Sequence, residues 1–181
     1  MGIDERAIDE LLAKQQIHEV LLRYCRGLDR LDGDLILSCY HPDATDDHGL
    51  FNGSGADFVP YALPHLATMR WTSHNVISSL IEIQGDVAAS ECYIVVYHRM
   101  PSRSGTDTDH IVGLRYVDRF ERRNDGPWLI AHRQLVYDWS RIDPVDREWE
   151  FGEAFSVGAR DRSDASYVAF EEIEQLRRQA G

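Results

Sequence analysis

Between Ile17 and Leu31 apolar residues recur at intervals of three and four. Stepping 100° per residue gathers Val20, Leu21, Leu22, Tyr24, Cys25, Leu28 and Leu31 into one arc of roughly 200°. Glu19, Arg23, Arg26 and Arg30 fill the opposite sector, so the pattern predicts a helix over residues 4 to about 30 with one wet and one buried face. "DGDLILSCY" predicts a short second helix that starts at Asp32 or Gly33, is ended by Pro42, and packs on the first as a hairpin. "DATDDHGLFNGSG" is rich in turn formers with room for a short pair of strands. "SGADFVPYALPHLATM" then predicts a third helix, interrupted or kinked at Pro60 and Pro64. Downstream the period falls to two. "SHNVISSLIEI", "VAASECYIVVYHRM", "DHIVGLRYVDRFERR" and "WLIAHRQLVYDWS" are rich in β-branched and aromatic residues and are separated by "QGD", "PSRSGTDT" and "NDGP". They predict four consecutive antiparallel strands. From about residue 163 a capping signal at Ser163 or Asp164 opens a last helix.

Helices followed by a meander of long strands define an α+β chain in which the helices cover one face of the sheet. If the sheet curves, its concave face and the helices enclose a pocket. The outward set of one strand, Tyr93, Val95 and Tyr97, carries more apolar surface than a lone sheet should expose, which predicts a homo-oligomer.

Composition narrows the function. With 181 residues and 43% hydrophobic content the chain has enough for one domain with a core and a short extension. Nineteen Lys and Arg against 31 Asp and Glu give a net charge of −12, with no basic cluster beyond the local "RFERR", which excludes a polyanionic nucleic acid as partner. The odd set Cys25, Cys39 and Cys92 lies in apolar or helical stretches, as expected of reduced thiols. The N-terminal stretch is acidic and amphipathic, and no window approaches 18 apolar residues. A cytoplasmic protein with no membrane partner is expected.

Asp29 breaks the pattern. It falls inside the apolar arc, between Cys25 and Leu22 in angle, where a lone carboxylate is costly and needs a partner or a task. One reading makes it a cap for "RLDGDL", with Gly27 unwinding the helix end. The other seeks a partner in the pocket. His74 opens the first long strand on the same alternate set as Val76, Ser78 and Leu80, although a histidine at a strand end is often structural. His98 shares a face with Cys92, Ile94 and Val96. Arg133 and Tyr137 share one with Leu129, Ala131, Leu135 and Trp139. Arg133 is then a cation on an apolar face, either a structural ion-pair arginine or a ligand group. Tyr24 lies about 140° around the helix from Asp29.

The chemistry that unites these residues is proton abstraction. A neutral imidazole is a good base near pH 7, and an ionised Asp on its other nitrogen fixes the tautomer and stabilises the imidazolium. Tyr24 and Arg133 could stabilise charge developing on oxygen. A metal is not expected: His41, Asp43, Asp46, Asp47 and His48 crowd into eight residues but lack paired or helical ligand spacing. No G-x-S-x-G elbow marks a serine nucleophile.

The order of "YCRGLDRLDGDLILSCYHPDA", "TSHNV" and "GLRYVDRFERRNDGPWLIAHRQLVYDW" resembles the SnoaL-like branch of the nuclear-transport-factor-2-like superfamily over roughly residues 5 to 140. The resemblance implies a cone-shaped curved antiparallel sheet with N-terminal helices, and a dimer or trimer as the homo-oligomer. It divides the chain into a SnoaL-like domain over 1–145 and a C-terminal extension with a helix over 146–181. The motifs are most similar to scytalone dehydratase and bile acid 7α-dehydratase, and similar also to hexachlorocyclohexane dehydrochlorinase, all cofactor-free lyases built on an Asp–His pair. The resemblance places that pair on Asp29 and His74, a helix tyrosine on Tyr24 and an active-site arginine on Arg133. The dehydrochlorinase has a lysine near Tyr24, so dehydration matches better than dehalogenation. The second pocket tyrosine of the dehydratases falls near His48, and a second histidine has His98 or His110 as counterpart. Catalytic Asp29, His74, Tyr24 and Arg133, with His98, His48 and Tyr137 binding a hydrophobic steroid, polyketide or aromatic hydroxy or keto substrate, are therefore expected, without cofactor. The superfamily also contains isomerases, non-catalytic binders and small subunits of ring-hydroxylating dioxygenases, which stand as alternatives.

Overall fold

The computed structural model describes residues 4–103, 105–148, 150 and 152–180; residues 1–3 of the acidic N-terminal stretch lie outside it. Helix α1 (Glu5–Asp29) starts on the Asp4 carboxylate, which accepts from the Arg6 and Ala7 amides. It buries Ile17, Val20, Leu21, Tyr24, Cys25 and Leu28 as the apolar arc requires, whereas Leu22 at the rim stays exposed. Gly27 does not unwind it. A Cβ there would stand 2.6 Å from Ile36 Cγ1, so the glycine is the point where α2 (Gly33–Leu37) closes against α1. Leu31 takes a left-handed φ of 53° to turn the corner, and Asp32 caps α2 through the Leu35 amide. Asp29 caps nothing.

Pro42 does not end a helix but sits within strand β1 (Tyr40–Asp47), in the stretch where the register with the neighbouring strand shifts between Tyr40 and Thr45. A residue without an N–H is tolerated at such an irregularity. β1 forms the expected short antiparallel pair with β2 (Asn52–Ser54). Helix α3 (Gly55–Ala67) runs through Pro60 and Pro64 without a break. Both prolines are exposed, and the carbonyls that lose a partner belong to Ala56 and Pro60, themselves exposed.

The four long runs form β3 (Trp71–Gln84), β4 (Val87–Met100), β5 (Thr108–Arg122) and β6 (Trp128–Pro144), paired antiparallel in sequence order. The whole sheet is ordered β2-β1-β6-β5-β4-β3. It is not purely antiparallel, because β1 enters parallel to β6. Register shifts at Val76/Ser78, Gly113/Leu114 and Arg119/Phe120 bend it, as bulges do, into a curved sheet that does not close. Its concave face carries Cys92, Ile94 and Val96, buried against α1 and α3.

The C-terminal helix α4 (Ala165–Ala180) follows Asp164, whose carboxylate accepts from the Ser166 and Ala159 amides. It lies along α1, where the Arg26 guanidinium covers Tyr167 at 4.6 Å and Phe170 at 4.7 Å, and the Tyr167 hydroxyl donates to Asp32. Cys25, Cys39 and Cys92 are buried and unpaired. Among the described residues no helix is long and apolar enough to cross a membrane.

Candidate active site

The last turn of α1 and the first residues of β3 meet at Asp29. Thr72 and His74 alternate onto one face of β3, and both reach the carboxylate. His74 Nδ1 lies 2.7 Å from Asp29 Oδ1, its backbone N–H donates to Oδ2 at 2.9 Å, and the Thr72 hydroxyl donates to Oδ1 at 3.0 Å. A carboxylate can only accept, so the proton sits on Nδ1 and Nε2 is the ring's free basic nitrogen. The His74 side chain is 6% exposed and that of Asp29 13%.

His74 lines a cavity of about 460 Å³ enclosed by α1, α3 and the concave sheet. Leu28, Phe58, Val96, Val112, Leu114 and Leu135 make its walls mostly apolar. The polar groups on the wall are His48, His65, His74, His98, Tyr61 and Tyr116. The His98 ring stands 5.5 Å from that of His74, and its Nε2 is buried without a partner. Burial first, and then the neighbouring His74, push His98 down to about 3, so it is a neutral imidazole. His48 stacks on Phe58 at 4.2 Å, and its Nδ1 lies 2.5 Å from Asp46 Oδ1.

Three expected site residues stand elsewhere. Arg133 is 0% exposed and bidentate on Asp118, with Nε to Oδ1 at 2.8 Å and Nη2 to Oδ2 at 2.6 Å. Its guanidinium is sandwiched 4.0 Å from the centroids of both the Tyr24 and Tyr116 rings. Burial pushes the Asp118 carboxyl up although Arg133 pulls it down, while Arg133 is held well above the ordinary guanidinium range. Tyr24 is fully buried, and burial raises its hydroxyl far above the usual phenol range. Neither residue reaches the cavity wall; of this cluster only Tyr116 does. Tyr137 is 61% exposed and bonded to Ser140, also away from the cavity. His110 pairs with His98 across β4 and β5 but is not on the wall either.

The crowded segment from His41 to His48 spreads out along β1. His41 meets the Glu121 carbonyl, Asp43 pairs with Arg123, and Asp46 takes His48 and the Tyr40 hydroxyl. Among the described residues no group of three His, Cys, Asp or Glu converges as metal ligands would.

One contributor left no mark in the local pattern. Arg160, from the segment before α4, donates Nη1 to the Leu66 and Met69 carbonyls at 2.7 and 2.9 Å, and Nη2 to Thr72 Oγ1 at 3.2 Å. A hydroxyl has one proton. Accepting from Arg160 leaves Thr72 to spend it on Asp29, so a residue 131 positions away in sequence orients a donor on the carboxylate.

A family model for a SnoaL-like domain matches residues 9–134, well over half of the chain, and takes in α1 through the Asp29–His74 pair to Arg133. The chain belongs to the SnoaL-like family. Three solved structures have the same fold. A scytalone-dehydratase-like protein from Novosphingobium aromaticivorans is 19% identical with a TM-score of 0.64, over 77% of this chain and 97% of that one. A type 2 hexachlorocyclohexane dehydrochlorinase, LinA, is 15% identical with a TM-score of 0.69, over 81% and 99%. A protein of unknown function from Mycobacterium tuberculosis is 24% identical with a TM-score of 0.58, over 88% and 91%. No curated protein matches the chain. The SnoaL-like segment ends before Arg160 and α4, so the strap on Thr72 lies outside the matched domain.

Proposed function

We propose that this SnoaL-like protein is a cofactor-free lyase or isomerase that removes a proton from a hydrophobic hydroxy or keto compound of steroid, polyketide or aromatic type. His74 is the base and Asp29 holds its tautomer and balances the imidazolium. The observation that carries this reading is the 2.7 Å Asp29–His74 bond at the edge of a largely apolar cavity. A volume of about 460 Å³ falls in the range of small-molecule sites. Neutral His98 stands on the cavity wall beside His74, a place from which to meet a substrate oxygen that sealed Arg133 does not have. That solved neighbours include a dehydrochlorinase and a dehydratase-like protein agrees with elimination chemistry.

The test is a panel of steroid, polyketide and aromatic hydroxyketones, followed by melting temperature and by product formation. A compound that is both stabilising and converted supports the enzyme. Stabilisation by ligands without conversion of any supports the binder. The chain is also proposed to form a homo-oligomer through the outer sheet face, where Trp71, Ile77, Leu80, Tyr93 and Tyr97 are exposed. A monomer in light scattering at micromolar concentration would contradict that.

A further inference from the structure

The cavity has two imidazoles of one design. His74 on β3 and His48, just past the end of β1, each give Nδ1 to a carboxylate and each stand on the wall with Nε2 left over. In the sheet order β2-β1-β6-β5-β4-β3 these strands flank β6, β5 and β4, which supply the floor through Leu135, Leu114 and Val96. A ligand lying across that floor has an imidazole on either side. Asp46 is 1% exposed and takes the Tyr40 hydroxyl on Oδ2 and His48 on Oδ1. The other cavity imidazoles lack this backing. His98 has no carboxylate on it, and His65 has none within ion-pair distance among the described residues.

We propose that His48, backed by Asp46, is the proton donor to the leaving oxygen, so that the cavity selects substrates with a poor leaving group, a hydroxyl, over halides or esters. This rests on the reading of His74 as base. In the step, His74 Nε2 takes the proton from the carbon next to a carbonyl and the C–H electron pair becomes the new C=C bond. His48 enters the step as an imidazolium with its Nδ1–H on ionised Asp46; the bond from the neighbouring carbon to its hydroxyl oxygen breaks, and that oxygen takes the Nε2 proton of His48 and departs as water. The two rings have exchanged protonation states and reset through solvent. No co-reactant is consumed.

The charge balance suits a donor. Asp46 is held below the ordinary carboxylate range: burial acts to raise it, but the His48 hydrogen bond and charge, the charge of Arg133 behind it and the Tyr40 hydroxyl outweigh burial. A carboxylate kept ionised there can balance a positive ring. Facing His48 are Asp46 from its own strand and Tyr116 from β5, with the rings 6.0 Å apart, while His65 from α3 and His98 from β4 share the cavity. Among the described residues no carboxylate lines the wall to compete for its proton.

The probes are 3-hydroxy-1,3-diphenylpropan-1-one, which dehydrates to a coloured enone, and its acetate ester, whose leaving group needs no proton. His48→Gln should lower kcat on the alcohol by about 10² to 10⁴ and on the acetate far less, while His74→Gln lowers both. Equal losses on both probes with His48→Gln would make His48 a binding residue and overturn the proposal, leaving the His74 reading intact. Nitrogen-15 NMR of the rings decides it without turnover. Asp46→Asn should cut the share of His48 protonated on both nitrogens relative to the parent at the same pH, and an unchanged share overturns the proposal even if neither probe reacts. Turnover that His74→Gln leaves unchanged removes the underlying reading instead.

Discussion

The Asp29–His74 and Asp118–Arg133 pairs are built from similar parts and set to opposite uses. Each joins a carboxylate to a nitrogen group on the concave side of the molecule. Arg133 spends Nε and Nη2 on Asp118, leaves Nη1 buried without a partner, and has its faces covered by Tyr24 and Tyr116, so no solvent-accessible surface remains. His74 spends only Nδ1 and keeps Nε2 at a cavity. An inward charge therefore says little about function until the free atoms are known. The sealed pair should govern stability and the open pair should govern turnover.

The largest expected effect is on the sealed side. Asp118→Asn leaves a guanidinium buried beside a neutral group, and breaking such a pair costs about 3 to 5 kcal/mol. Chemical denaturation should show that loss, whereas the double variant Asp118→Leu, Arg133→Met should recover most of it. Equal instability of single and double variants would mean that the pair is not the sealed unit described here.

His98 sharpens the contrast next, through pH. Its folded-state value of about 3 lies below the unfolded value near 6.5, so the unfolded chain binds a proton that the folded chain refuses. Stability is whole above pH 6.5 and falls as pH drops toward 3, by about 2 kcal/mol at pH 5. His98→Asn should flatten the melting temperature between pH 7 and 5. An unchanged slope would remove His98 as a buried neutral ring.

A smaller effect belongs to the strap. Thr72→Val deletes a donor to Asp29 and should cost about 1 kcal/mol, with Thr72→Ser close to the parent. On a turned-over substrate, Arg160→Gln should lower kcat more than it raises KM and shift the acidic limb of the pH profile. An unshifted profile in Arg160→Gln would make the strap structural alone. The smallest effect is at Asp46: its lowered folded value adds stability above about pH 4 that is lost as pH falls through it, and Asp46→Asn should lack that acid loss.

Much of the fold was legible because burial imposes period. The α1 arc and the alternation of Cys92, Ile94 and Val96 are direct consequences of one-sided contact with a core. The misplaced parts depend on neighbours. Pro42 reads as a terminator until β6 offers a parallel edge with a shifted register, and Pro60 reads as a break until both prolines of α3 turn outward. At the site, Asp29 and His74 stand out as polar residues in apolar phase, and the structure brings them together. Arg133 stands out for the same reason, but its partner Asp118 is one of two acids among the arginines of "YVDRFERR". Tyr24 likewise lies in phase with the core rather than the cavity. Arg160 had no periodic signal at all, because its ligands are carbonyls and one hydroxyl from the end of α1, from α3 and its end, and from β3.

The most direct measurement is the activity and stability cycle of Asp29→Asn, His74→Gln and their double variant on any converted hydroxyketone. Asn has one carbonyl oxygen, which can accept from Thr72 or from the His74 amide but not from both, so Asp29→Asn should cost about 1 to 3 kcal/mol of stability. Turnover should fall by about 10² to 10⁴, His74→Gln should fall at least as far, and the double variant should lose little more, as groups acting as one unit do. Turnover unchanged in Asp29→Asn, or losses that multiply in the double variant, would contradict the account of Asp29 and His74 as one base.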